Sequence, residues 1–291
     1  MIPGPFSYLA PRSVPDAIGL LAQYGGEAKI LAGGQSLIPM MRFRFAEPRY
    51  VIDINHVPDL AGVQERDGYI AIGALTREVD LEHSEVARSR APILIDTAQV
   101  VADPLVRNLA TVGGNLAHAD PANDHPATML ALRAQVVATG ASGRRVIPID
   151  DFFVDTFTTA LGPEEILTEI RVPLPPARSG GAYVKFERKV GDYAIAGTAA
   201  QVTLAADGTV ATAGIGLTNA SYRPLRAADA EAYLTGKAPT EETILEAARL
   251  ASVASDPGGD LRGPADYKRA MVRTVTARAL RAALARAGAA A

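Results

Sequence analysis

The 291-residue sequence contains no cysteine and no tryptophan. Without cysteine there can be no disulfide, no thiolate nucleophile and no cysteine-ligated iron–sulfur cluster, so any such centre must sit on another polypeptide. No run of about 18 apolar residues occurs, which leaves no candidate membrane span. The opening Met1-Ile-Pro-Gly-Pro-Phe-Ser-Tyr8 has neither a basic nor an apolar stretch, so a cytoplasmic location is expected in place of secretion. A formal charge of −3 gives no electrostatic reason to expect nucleic acid or an anionic membrane as partner. Gly-x-Gly-x-x-Gly, Gly-x-x-x-x-Gly-Lys-Ser/Thr and Gly-x-Ser-x-Gly are also missing, which argues against conventional nicotinamide, nucleoside triphosphate and hydrolase sites.

Hydrophobic content of 48% is enough for a sizeable core, and the length suggests more than one packing unit. Ser13 with Pro15 predicts a capped helix that stops near Gly25-Gly26. Strands are expected at 29–31 and 50–54, with helical turns at 37–41, giving a βαβ-like opening over residues 1–56. A second unit, 57–176, begins with a hairpin at Asp67-Gly68 and continues with helical patterns at 76–83 and 91–101. Its further strands are expected at 134–139, 145–149 and 166–172. The prolines at 173, 175 and 176, followed by Ser179-Gly180-Gly181, read as a linker. Beyond it, 177–291 predicts strands at 182–188, 197–205 and 210–217, the last two joined at Asp207-Gly208, and helices at 239–255 and 265–287. These helices are expected at the end of a small antiparallel sheet, with the tail from Ala282 onward fraying.

Two glycine pairs stand out, in Leu31-Ala32-Gly33-Gly34-Gln35-Ser36 and in Thr111-Val112-Gly113-Gly114-Asn115. Glycine permits positive φ and close backbone approach, and successive N–H groups make concave anion sites. A flavin dinucleotide held in extended form would place its pyrophosphate on both turns and offer ribityl hydroxyls to a carboxylate such as Asp124. The polar run His118, Asp120, Asn123, Asp124, His125 also admits a metal site, although its spacing matches no recognised zinc pattern. In Phe186-Glu-Arg-Lys-Val-Gly-Asp-Tyr193, an aromatic after a Gly-Asp turn suits stacking on a flat ring system, and Arg188-Lys189 suits anionic oxygens. Without the glycine turns, a surface turn with one core tyrosine would be the favoured reading of that segment.

Taken in order, Ala32–Ser36, Thr111–Asn115 with Ala119-Asp120-Pro121, and Lys189–Tyr193 resemble the FAD-binding medium subunit of molybdenum hydroxylases. That group includes carbon monoxide, xanthine and N-heterocycle dehydrogenases, and the resemblance spans about 3–287. It implies an α+β protein: a vanillyl-alcohol-oxidase type (PCMH-type) FAD-binding domain over 1–176, in subdomains 1–56 and 57–176, then a C-terminal α+β flavoprotein domain over 177–291. It also implies pyrophosphate contacts at Ala32, Gly33, Gly34, Gln35 and Ser36 and at Thr111, Val112, Gly113, Gly114 and Asn115. Asp124 would bind the ribityl chain and Tyr193 would cover the flavin. Lys29, Leu31, Leu37, Val101, Leu167 and Lys189 complete the cofactor-binding set. Gln35 departs from the His common in carbon monoxide dehydrogenases and is similar to N-heterocycle hydroxylases.

The resemblance further implies that a molybdopterin cofactor and two [2Fe–2S] clusters lie on a large and a small partner chain, assembled as a dimer of heterotrimers. This chain would pass electrons from the clusters through FAD to an external acceptor. No side-chain acid, base or nucleophile is assigned as catalytic, and no metal. Two other outcomes are a standalone FAD-dependent oxidase of the same fold and an interaction module that has lost FAD.

Overall fold

The computed structural model describes residues 2–288. In the first unit, Ser13 caps a helix α1 (Val14–Tyr24) by accepting the Asp16 N–H at 3.1 Å, and Pro15 occupies its first turn. The helix ends at Gly25, whose φ of +54° suits glycine. Strands β1 (Ser7–Leu9), β2 (Ala28–Leu31) and β3 (Tyr50–Asp53) form a parallel sheet in the order β1-β3-β2. Helix α2 (Leu37–Arg42) links β2 to β3. The first glycine pair thus lies just beyond the carboxyl end of β2, the edge where open α/β sheets bind ligands.

The second unit carries helices α3 (Glu78–Glu82), α4 (Glu85–Arg90), α5 (Ile93–Gln99), α6 (Pro104–Arg107), α7 (Val112–His118), α8 (Asp124–Ala131) and a short α9 (Ile149–Phe152). Strands β4 (Val63–Arg66), β5 (Tyr69–Gly73), β6 (Gln135–Gly140), β7 (Gly143–Pro148) and β10 (Ile166–Pro173) form an antiparallel sheet in the order β4-β5-β10-β6-β7, while β8 (Phe153–Asp155) and β9 (Thr158–Thr159) pair separately. The expected two-residue hairpin forms at Asp67-Gly68, with Gly68 at φ +81°. Ile70, Ile72, Val136, Ile170 and Val172 of the sheet pack on Leu81, Ile93, Leu94, Leu116 and Met129 of the helices. The second glycine pair is not a free turn before a polar loop. It is the first turn of α7, capped by Thr111. Every residue of α8 is buried, so its sequence has no polar stripe to announce a helix.

In the third unit, β11 (Ser179–Glu187), β12 (Ala194–Leu204), β13 (Val210–Thr218) and β14 (Leu225–Arg226) form an antiparallel sheet in that order. The β12–β13 turn falls at Asp207-Gly208, where Asp207 accepts the Thr209 N–H at 2.9 Å. Helices α10 (Ala228–Leu234), α11 (Glu241–Ala254) and α12 (Ala265–Ala287) follow. Two expectations need correction. Ser179-Gly180-Gly181 is not linker but the start of β11, and its glycines admit close packing: a Cβ on Gly180 would stand 2.1 Å from the Ala283 carbonyl oxygen of α12. The segment from Ala282 to Ala287 does not fray but stays helical, with Ala283, Leu284 and Ala287 buried; residues 289–291 lie outside the described residues.

Neighbouring residues of a strand face opposite ways, so Gly181 contacts Ile93 of α5 on the side away from α12. Gly214, in register with Gly181 through Gln201, faces α8. The third sheet is therefore sandwiched, with its own helix on one face and helices of the second unit on the other. A Cβ at Gly216 would sit 1.9 Å from the Ala127 carbonyl oxygen. Gly216→Ala should force α8 off the sheet and cost about 1–3 kcal/mol. Gly19→Ala, inside α1 with nothing within 4 Å, should instead stabilise by up to about 1 kcal/mol. Urea unfolding of both variants checks the contrast, and equal effects would contradict it.

Candidate functional site

Between the first and second units lies a cleft of about 490 Å³, within the range of small-molecule sites. One wall is the turn Ala32–Leu37 with Lys29 and Met40, and the opposite wall is Thr111, Gly113, Gly114, Asn115 and His118. Phe157, Glu165 and Leu167 close a third side. The two walls touch. A Cβ on Gly33 would meet the Leu109 carbonyl oxygen at 2.2 Å; within the second unit, one on Gly113 would meet the Ala74 carbonyl oxygen at 2.6 Å. Gly34 sits at φ +74°, a conformation that strains any other residue.

The two glycine pairs play different parts. Among the described residues, the N–H groups of Gly33, Gly34, Gln35 and Ser36 have no protein acceptor, so the first turn presents a concave set of free donors. The N–H groups of the second pair are already engaged, Gly113 with the Ala74 carbonyl at 3.0 Å and Gly114 with Thr111 Oγ1 at 3.1 Å. What the second wall offers is the Thr111 hydroxyl proton, free because its oxygen is the acceptor for Gly114, and Asn115 Oδ1, which is buried without a hydrogen-bond partner.

Sequence reasoning missed the residues that pin the walls together. Asn55, beyond the end of β3, donates to the Ala32 carbonyl at 2.8 Å and accepts from Arg77 at 2.6 Å. Arg77 also donates to the Leu109 carbonyl and pairs through its backbone with Thr111. Asp53 accepts from Asn55 and from the Tyr8 hydroxyl. An Asp-x-Asn at the carboxyl end of a parallel strand was the signal available in the sequence.

The expected site residues divide into three groups. Lys29, Ala32–Leu37, Thr111, Gly113, Gly114, Asn115 and Leu167 line the cleft. Leu31 lies behind the first turn, and Val112 is fully buried with its N–H on the Thr76 carbonyl. Val101, Asp124, Lys189 and Tyr193 lie outside the cleft lining, towards the third unit. There Gly191 packs beside Ala102, and the half-exposed Tyr193 has its phenol pushed up by burial and by the charges of Asp120 and Asp124. The Asn123 side chain bonds the Asn115 carbonyl at 2.9 Å, joining this group to the cleft wall.

Asp124 is buried, and its two oxygens accept from the Tyr183 hydroxyl at 2.6 Å and from Lys185 at 3.0 Å, both on β11. Burial raises its pKa while Lys185 opposes the rise. His125, fully buried beside it, meets Glu78 at 2.6 Å. Burial works against a charged imidazole there, but the Glu78 carboxylate outweighs it and the pKa rises. His118 meets Phe157 in a tilted contact with ring centres 5.1 Å apart, and burial lowers its pKa. These side chains diverge, and among the described residues no three His, Cys, Asp or Glu groups converge as a metal set. No helix among the described residues is long and apolar enough to cross a membrane.

Residues 4–175 match the family described as FAD binding domain in molybdopterin dehydrogenase, and residues 181–283 match the CO dehydrogenase flavoprotein C-terminal domain. The chain is 47% identical to the carbon monoxide dehydrogenase medium chain of Hydrogenophaga pseudoflava, over 98% of this chain and 99% of that one. It is 41% identical to the 6-hydroxypseudooxynicotine dehydrogenase complex subunit alpha of Paenarthrobacter nicotinovorans, over 99% and 97%. A solved carbon monoxide dehydrogenase from Hydrogenophaga pseudoflava, in a form lacking the Mo-pyranopterin moiety, has a TM-score of 0.96 at 49% identity, covering 98% of this chain and 99% of that one.

Because the His125 pKa is raised on folding, its ion pair stabilises below the ordinary histidine pKa of about 6.5 and is lost as pH rises through the folded value. His125→Gln should remove that contribution. Its stability deficit in urea unfolding should be largest near pH 6 and shrink towards pH 9. A deficit independent of pH would show that His125 is buried neutral.

Proposed function

The chain belongs to the family of FAD-binding medium subunits of molybdenum hydroxylases, and we propose that it holds one FAD extended from the glycine cleft to Tyr193, between partner-held clusters and an external acceptor. The observation that carries this reading is the turn of four unpaired amides facing Thr111 and the orphaned Asn115 Oδ1. Such a set fits an anionic pyrophosphate beside hydroxyl groups. Charge-assisted bonds to free amides contribute roughly 1.5–3 kcal/mol each. Lys29 adds a cation on the rim.

Asp124 is compatible with a ribityl contact, since a carboxylate accepts about four hydrogen bonds and its two protein donors leave capacity. Val101, Lys189 and Tyr193 stand on the same side, where a flat ring system would find an aromatic cover. When bound, FAD supplies the redox chemistry, accepting and releasing electrons; the chain's residues hold, orient and shield it. A chain with no cysteine takes its iron–sulfur clusters from a partner. Its relatives are medium chains and complex subunits, which supports a large molybdopterin-binding partner and a small [2Fe–2S] partner. We extend this to a dimer of heterotrimers in the cytoplasm.

A tagged chain co-expressed with its neighbours in its own host should recover a large molybdopterin-containing chain, a small cysteine-rich one, and FAD at one per chain. Acid precipitation should leave all of that FAD in the supernatant. FMN, or flavin retained in the pellet, would contradict the reading. In the same complex, Gly33→Ala pushes a methyl into the Leu109 carbonyl and should part the walls of the cleft. Losing two charge-assisted bonds would weaken FAD binding by roughly a hundredfold or more. An assembled Gly33→Ala complex with full FAD content would contradict it.

A further inference from the structure

Tyr193 is held in a specific way. The backbone turn before it contains Gly191 at φ +83° and an Asp192 N–H bonded to the Lys189 carbonyl at 3.1 Å. Asp192 Oδ1 accepts the Tyr193 N–H at 2.8 Å and Arg262 Nη2 at 2.6 Å. The same Arg262 guanidinium lies 5.3 Å from the centre of the Tyr193 ring, within cation–π range. One side chain, 70 residues further along the sequence, thus grips both the carboxylate that fixes the Tyr193 backbone and the ring itself.

Arg262 is itself anchored. Its N–H bonds Asp260 Oδ1 at 2.8 Å, and Asp260 and Gly263 exchange two backbone bonds of 3.1 Å that close the loop into a tight turn. Asp260 Oδ2 accepts from Lys268 at 2.7 Å, and Lys268, on α12, is only 1% exposed. A buried lysine ammonium is costly unless paired, so this loop is fixed to the long helix. Rigidity runs from α12 through Asp260 and Arg262 to Asp192 and Tyr193. Tyr193, at the end of this line, remains 46% exposed.

We propose that Arg262 is a positioning residue, which holds Tyr193 in place to cover the flavin and so sets the environment of the cofactor. The inference rests on the reading of Tyr193 as the flavin cover. Arg262 does not act on the cofactor directly; it acts through Asp192 and the Tyr193 ring. A lysine keeps the charge but lacks the planar fork that serves carboxylate and ring together.

The test uses the assembled complex carrying Arg262→Gln, Arg262→Lys, Tyr193→Ala or Arg262→Gln with Tyr193→Ala. Hydrogen exchange of the amides at 189–193 is measured with FAD bound and after its removal, and the visible absorption and midpoint potential of the flavin are recorded. Arg262→Gln should speed exchange at least roughly two- to fivefold, the factor of a partly exposed cation–π contact alone, with the lost Asp192 bond adding to it. It should move the flavin band in the same direction as Tyr193→Ala, the double variant should match Tyr193→Ala alone, and Arg262→Lys should recover part of the change. Unchanged exchange in Arg262→Gln, or faster exchange with a wild-type flavin band while Tyr193→Ala moves it, would overturn the proposal. A wild-type band in Tyr193→Ala itself would overturn the underlying reading of Tyr193.

Discussion

The structure depends on one close approach, that of the Gly33 backbone to the Leu109 carbonyl. No side chain fits between them. This contact brings the carboxyl end of a parallel sheet against the N-terminal turn of a helix in a different unit, and the cleft exists because the two are tangent. Arg77 and Asn55 hold the approach in place by bonding both walls. With the second wall's glycine amides already used in the fold, the donors left for an anion are those of the first turn. In the second wall the Thr111 cap takes the Gly114 N–H and the Ala74 carbonyl takes that of Gly113, whereas the strand-to-helix loop of the first wall leaves its N–H groups open.

A second glycine contact does for the domains what the first does for the cleft. Gly214 and Gly216 let α8 lie directly on the third sheet, and that same helix begins with Asp124 and His125. Lys185 and Tyr183 reach from the sheet to Asp124, while Glu78 reaches from α3 to His125. On the proposed reading the C-terminal unit is therefore part of the site, because it fixes Asp124 and carries Tyr193. If Asp124 and Tyr193 meet the flavin as proposed, cofactor binding and domain docking share residues, and flavin retention is coupled to the integrity of the seam.

The sequence carried the positions of the glycine pairs, the hairpins at Asp67-Gly68 and Asp207-Gly208 and the cap at Ser13, all of them local signals. It did not reveal that the Gly113 amide is engaged, since its partner Ala74 becomes adjacent only on folding, whereas the Thr111 cap on Gly114 is a local relation that reads as a turn. Helix α8 escaped because a helix buried on every side loses its amphipathic period. Gly180-Gly181 read as linker because small residues that admit a helix backbone look, in one dimension, like small residues that permit flexibility. Arg77 and Arg262 were ordinary surface charges until folding placed one between the walls and the other beside Tyr193.

The two glycine turns differ in which backbone atoms are free to meet the cofactor. A high-resolution structure of the assembled, FAD-loaded complex measures this directly. The account predicts pyrophosphate oxygens within hydrogen-bond distance of the N–H groups of Gly33 to Ser36 and of the Thr111 hydroxyl, with Gly113 still bonded to Ala74 and Gly114 to Thr111. Pyrophosphate seated on the Gly113 and Gly114 amides, with the first turn facing solvent, would contradict it.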